Sequence, residues 1–251
     1  MSALAQTYVR LYSNVCSPWL KSKRIPKSMM SMELMYLNLG EMKRSLLVIS
    51  FVCCTLTLAA QDAFPVKYQG AKPDICDFVT AFVDSRHDEV DEDECVDEAF
   101  VALARAWDLY QKGLPMVEGE TLTVDIRGGY VCLERLSTYE STKDVQKWEM
   151  CYWNEIDGKH KLFAYNVLCF RNGQYDPGQY DGLAFYRYDN ATKKMRWCEA
   201  PGFELRYGAD DGTRISYALP RVGKDITASY WYQNGKKKNK ALKWNGHKFS
   251  F

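Results

Sequence analysis

Two strands meet at Asp157-Gly158, and that turn constrains this chain more than any other feature. The stretch Trp148–Phe170 (WEMCYWNEIDGKHKLFAYNVLCF) is aromatic-rich and alternating on both sides of it. Asp-Gly tolerates the positive φ that a tight hairpin demands. A two-residue turn there sets Ile156 against Lys159, Glu155 against His160, Trp153 against Leu162 and Tyr152 against Phe163. Side chains alternate across a sheet, so Trp148, Met150, Tyr152, Phe163, Tyr165 and Val167 share one face. That face is core. The other collects Glu149, Cys151, Trp153, Glu155, His160, Leu162, Ala164 and Asn166. It is half polar and reads as a partly solvated surface or the wall of a groove.

Period-2 patterning begins at Thr121 and persists to the end of the chain. Strands are predicted over 121–126, 130–136, 147–156, 159–170, 183–188, 194–199, 214–219, 226–233 and 240–244, with 248–251 a further short one. Gly128-Gly129, Asp189-Asn190, Asn234-Gly235 and Asn245-Gly246 supply turns. The gaps are too short for crossover helices, so the sheet is antiparallel and largely a meander. Ahead of it, Ile75, Phe78, Val79, Phe82 and Val83 stand at helical spacing after a capping Asp74. A second stripe runs through Val96, Ala99, Phe100, Leu103, Trp107 and Tyr110, closed by Gly113 and Pro115. The expected fold class is α+β: an N-terminal helical hairpin followed by a mostly antiparallel meander sheet of about nine strands, with the helices on one face.

Charge divides the chain into unlike parts. Residues 1–61 carry seven Lys/Arg against two acids, and 62–251 carry 26 basic and 30 acidic side chains. An acidic body gives no reason to expect nucleic acid. Met42-Lys43-Arg44, the apolar run Ser45–Leu58 and the small residues Ala59-Ala60 read as a secretory signal peptide over 42–61. The apolar run falls short of the ~20 residues that span a bilayer. Residues 1–41 then read as a non-native or disordered N-terminal extension ahead of a start at Met42, the competing reading being a presequence with the acid-free, basic and serine-containing composition of organelle transit peptides up to Met32. Residues 61–73 read as a linker, and 74–251 as a single α+β domain.

Six cysteines follow the signal: Cys76, Cys95, Cys132, Cys151, Cys169 and Cys198. If 137–146 loops symmetrically, Cys132 faces Cys151 within disulfide reach, whereas the hairpin register sets Cys151 against Ala164. The competing reading is that all six are reduced and buried. No C-x-x-C spacing supports a metal, and the acidic run 88–98 lacks the glycine of a calcium loop. No cofactor is implied. His87, His160 and His247 have no partner at catalytic spacing. Glu149 and Glu155 lie about 20 Å apart along one strand, too far for a glycosidase pair at roughly 5–9.5 Å. Binding candidates are Trp153 flanked by Glu149 and Asn166, and the polar loop 171–182 with Tyr175 and Tyr180. Trp153 has a plainer alternative, as core beneath the helix pair. The lysines at 236, 237, 238, 240, 243 and 248 form a basic tip that reads mainly as a solubilising edge, with an anionic partner such as a polysaccharide or lipid headgroup the minority reading.

The segments GGYVCLERL, EMCYWNEIDGKHKLFAYNV, LAFYRYD, ISYALPRVGKDI and LKWNGHKF, following a signal peptide and short helices, resemble small exported proteins of Bacteroidota-type bacteria. The resemblance covers about Thr121–Phe251. It implies a periplasmic or secreted location and carries over no catalytic or binding residue. The expected function is an exported, non-enzymatic binding or interaction domain, with carbohydrate, peptide or another exported protein as partner. Membrane contact is expected only through the signal segment. A glycan- or cell-wall-directed hydrolase and an inhibitor of secreted lytic enzymes are the alternatives.

Overall fold

A computed structural model of the chain describes residues 63–87, 98–139, 142–178 and 182–251. The export signal, the extension before it, most of the acidic run, Cys95 and Tyr180 lie outside these residues. Asp74 opens the first helix, α1 (Ile75–His87), as its position predicts. Its carboxylate accepts the backbone N–H of Cys76 (2.8 Å) and Asp77 (3.3 Å), and Asp77 returns a carboxylate to the N–H of Asp74 (2.9 Å). The exchange is a capping box. The second helix, α2 (Glu98–Gln111), ends where Gly113 adopts φ +66° and the N–H groups of Gly113 and Leu114 reach back to Tyr110 and Leu109. The helices touch through Phe82 and Phe100, and the indole N–H of Trp107 donates to Thr80 Oγ1 at 3.0 Å.

Among the described residues there are twelve strands in two sheets, where the alternation predicts about nine in one. In chain order they are β1 (Ala63–Pro65), β2 (Glu120–Asp125), β3 (Tyr130–Tyr139), β4 (Thr142–Asn154), β5 (His160–Arg171), β6 (Gln174–Tyr175), β7 (Gly182–Asp189), β8 (Lys194–Cys198), β9 (Arg214–Ala218), β10 (Ile226–Trp231), β11 (Lys237–Trp244) and β12 (Phe249–Ser250). The larger sheet runs β1-β8-β7-β5-β4-β3-β2, with β6 also on β5; the smaller runs β12-β11-β10-β9. Every pairing is antiparallel, and each sheet is a meander apart from β1, which closes the β8 edge from within a stretch that reads as linker.

The central hairpin has the predicted register: Tyr152 opposes Phe163 and Trp153 opposes Leu162. Its turn is wider than two residues. Glu155 N–H donates to His160 O, so Ile156–Lys159 form the loop, and Gly158 takes φ +66°. The neighbouring register departs from expectation by two residues. Strands β3 and β4 continue to Tyr139 and Thr142 before turning, so Cys132 opposes Glu149 and Cys151 opposes Tyr130. Thr138, Tyr139 and Thr142 suit a strand and 137–146 holds no glycine or proline, so the chain stays extended where a loop is predicted. The expected Cys132–Cys151 bridge is therefore corrected: both cysteines are buried free thiols on one face, diagonal and not opposed.

Both faces of the large sheet are covered. On one, Phe78, Phe82, Leu103 and Trp107 of the helices bury Trp148, Met150, Phe163 and Val167. The ring of Phe82 lies 5.8 Å from Phe163 and 4.7 Å from Tyr165. On the other, the small sheet lays Ile215, Tyr217, Ile226, Ala228, Leu242 and Phe249 on Cys132, Cys151, Trp153, Leu162, Ala164 and Phe185. The result is three layers: helices, large sheet, small sheet.

Candidate functional site

The half-polar face of the hairpin is no groove. Trp153 is 4% exposed, Glu149 7% and Asn166 1%, all beneath the small sheet. Trp153 is core, as its plainer reading has it, but under strands and not under helices. Its indole N–H donates to the carbonyl of Lys224 (2.8 Å), and Phe249 meets its ring edge-on at 5.2 Å. The polar pair beside it joins the two sheets. Glu149 Oε2 accepts the backbone N–H of Leu219 (2.9 Å) and Asn166 Nδ2 (3.2 Å), while Oε1 accepts the Tyr130 hydroxyl (3.1 Å). Asn166 Nδ2 also donates to the carbonyl of Tyr217. Burial pushes the pKa of Glu149 up, against the pull of the three donated hydrogen bonds. Every polar group in this set has a partner, so periodic polarity here marks an internal joint and not a wet surface.

Tyr175 is likewise buried, packed on Phe170 and Trp231 as β6 folds back on β5. Tyr180 lies outside the described residues.

An open cleft of about 440 Å³ lies on the helix-side face, at the end of β3, β4 and β5 that the helices do not reach. Pairing builds its floor in two rows, Arg135–Gln146–Cys169 and Ser137–Asp144–Arg171. These rows extend the alternation of the buried Leu133–Trp148–Val167 row with polar residues. Asp176, Pro177 and Gly178, following β6, form a rim. Arg171 is the hub, with Nε 3.7 Å from Asp144 Oδ1 and a terminal nitrogen 3.4 Å from Asp176 Oδ2. Asp176 is held from the other side by Arg214 at 3.0 Å. Arg135 leans on the buried Glu120, which Arg105 also engages. Asp144 Oδ1 is shielded from solvent and accepts no hydrogen bond within the described residues. Arg171, Asp176, Pro177 and Gly178 fall in the polar loop 171–182 that the sequence offers as a binding candidate, whereas the floor residues Arg135, Ser137, Asp144 and Gln146 are not among the candidates, because 137–146 reads there as a loop. The signal that could have found them is the even-numbered series Asp144, Gln146, Trp148, Met150, which keeps strand parity through the polar stretch.

Glu155, Asp157 and His160 bring three potential ligand atoms within 4.8 Å of one another at the hairpin turn. Each is already engaged. Glu155 accepts from Arg187 Nε at 2.7 Å, and Asp157 Oδ1 accepts the N–H groups of Lys159 and His160. Asp157 Oδ2 meets His160 Nδ1 at 2.6 Å. The Arg187 guanidinium disfavours a cation beside it, and the cluster reads as the staple of the turn. The His160 ring and the two backbone donors hold the Asp157 carboxyl down to about 2. Its folded pKa is below the unfolded value, so its contribution to stability is present above about pH 4 and is lost as the pH falls toward 2. An NMR titration of the side-chain carboxyl should give a midpoint near 2, whereas an ordinary aspartate midpoint near 3.9 would refute the staple.

No helix among the described residues is long and apolar enough to cross a membrane. No protein-family model, curated protein or solved structure matches the chain.

Proposed function

We propose that this chain is an exported binding domain without catalytic chemistry, and that its ligand is a short peptide or amino-acid-like molecule carrying both an ammonium and a carboxylate. The observation that carries the reading is the half-exposed Asp144 carboxylate set beside the guanidiniums of Arg171 and Arg135 in one open cleft. A ligand ammonium pairs with the exposed part of the Asp144 carboxylate, and a ligand carboxylate lies against the guanidiniums. Export is supported by the basic, apolar and small-residue sequence at 42–61 and by the resemblance to exported Bacteroidota-type proteins. We take the two helices to be joined as a hairpin through 88–97, a reading supported by the contacts of Thr80 with Trp107 and of Phe82 with Phe100.

One observation favours the hydrolase as a second reading: Asp144 and Asp176 both reach Arg171 and so face each other across the cleft. A glycosidase also needs one carboxyl in apolar surroundings. Here the two side chains are 44% and 35% exposed and tied to arginine. Calorimetric titration of the full chain with short zwitterionic peptides and with neutral oligosaccharides separates the readings. Peptides are expected to bind, and Arg171→Ala to weaken them by about tenfold or more, the value of one charge-assisted hydrogen bond at about 1.5–3 kcal/mol. Binding of neutral oligosaccharides alone, or their cleavage, would overturn the proposal.

A further inference from the structure

The charge of the domain is segregated along the chain. Residues 62–225 carry 20 basic and 30 acidic side chains, a net of −10, whereas 226–251 carry six lysines and no acid. Those last residues are β10, β11, β12 and their turns. Lys236, Lys237, Lys238, Lys240, Lys243 and Lys248 are all exposed, and none forms an ion pair among the described residues. Strand β11 pairs with β10 from Lys237 to Leu242 but with β12 only at Lys243 and Trp244, so its other edge from Lys237 to Leu242 is open. Alternation puts Lys237 and Lys243 on one face of this strand and Lys238 and Lys240 on the other. A lysine edge discourages strand pairing. That role does not account for Lys248 beyond the strand, or for the absence of any acid across three strands.

We propose that this open edge of β11 is a binding site for a linear anionic polysaccharide. Ammonium groups on both faces of one strand make a ridge, which a chain can follow but a flat bilayer surface touches on one side only. The nearby rings are not free for base stacking, because Lys237 Nζ lies 4.2 Å from the Trp231 centroid and Lys240 Nζ 5.2 Å from Tyr230 and 5.5 Å from Phe251. Contact is therefore by charge alone. The acidic remainder of the domain repels a dense polyanion such as duplex DNA, with one charge per ~1.7 Å. A glycan with one charge per sugar or disaccharide is sparser and thin enough to follow a single edge. The site is separate from the cleft, and only the choice of an extracellular polymer leans on proposed export.

The test is salt-dependent retention of the full chain on immobilised alginate, a polyuronate, for wild type, Lys237→Ala/Lys238→Ala/Lys240→Ala and the matching triple arginine variant. Wild type and the arginine variant are expected to be retained. The alanine variant should lose retention, its log–log salt slope falling by roughly 0.7 per lysine removed, with an unchanged melting curve. Arg171→Ala should be retained like wild type, which keeps this result independent of the cleft. Absence of retention at low salt, or an alanine variant that binds like wild type, would overturn the proposal. Tighter binding to a single-stranded oligonucleotide or to phosphatidylglycerol vesicles than to alginate would overturn it in favour of those partners.

Discussion

Trp153→Ala is expected to remove about 3–5 kcal/mol of unfolding free energy, the range for deleting a large aromatic from a filled core. Trp153 sits between the sheets, with Phe249 at 5.2 Å, Trp244 at 6.1 Å and Phe185 at 6.5 Å around its ring. Alanine leaves a cavity that neither sheet can close, and it strands the carbonyl of Lys224 that the indole N–H serves. The loss should fall most heavily on attachment of the small sheet. Amide exchange of β10 and β11 should therefore rise more than that of α1 on the opposite face. Denaturant unfolding and hydrogen exchange measure both effects. An exposed aromatic platform would instead change stability by no more than about 0.5 kcal/mol, so the two descriptions of Trp153 differ several-fold in the expected result.

Glu149 carries the second large effect, and its sign depends on the replacement. Glu149→Ala leaves the Leu219 N–H and the Tyr130 hydroxyl buried without their partner. At about 1–3 kcal/mol for each of the two stranded groups, the expected cost is about 2–6 kcal/mol. Asn166 suffers less, since it keeps the carbonyl of Tyr217. Glu149→Gln behaves differently. Its amide oxygen can replace Oε2 toward Leu219 and Asn166, and its NH2 can donate to Tyr130, whose hydroxyl accepts as well as donates. The variant removes a buried charge and keeps the joint. The pKa of Glu149 is raised in the fold, so the native state holds its proton more tightly than the unfolded chain does. Wild-type stability should accordingly decline as the pH rises above the unfolded glutamate value of about 4.3 and through the higher folded value. Glu149→Gln should lack that decline and be at least as stable as wild type at pH 7. Urea unfolding of both variants from pH 4 to 8 checks the pair. A Gln variant as damaged as the Ala variant would show that the carboxylate charge itself holds the sheets together.

Local chemistry in the sequence marks local structure well. Asp74 and Asp77 cap α1, Gly113 closes α2, and the alternation around Asp157-Gly158 sets the register of Tyr152 against Phe163. Each of these depends on residues a few positions apart. What the sequence does not display is which strands share a sheet. Alternation says that Ile226, Ala228 and Leu242 bury one face, but not that the face they bury against belongs to the hairpin. Glu149 and Asn166 mislead for the same reason, because a polar side chain in an alternating pattern looks solvated until its distant partners at 217 and 219 are in place. The cysteine register fails on a two-residue shift, which keeps Cys132 and Cys151 on the same face and so leaves no trace in the pattern. The floor of the cleft is hidden by the same stretch, since Asp144 is a floor residue only if 142–146 is strand, while its rim falls in the polar loop 171–182 that the sequence does mark.

Native-state alkylation of Cys132 and Cys151 probes the central structural claim, that the small sheet covers this face, most directly. Both thiols lie between the two sheets, at 6% and 3% exposure, and burial raises the pKa of Cys132 to about 11 and that of Cys151 well above its ordinary value. Peptide mapping after iodoacetamide treatment at neutral pH should find both unmodified in the native protein, and both modified once it is unfolded without reductant. Rapid labelling in the native state would expose the face that the small sheet is held to cover, and a linked 132–151 peptide would contradict the register.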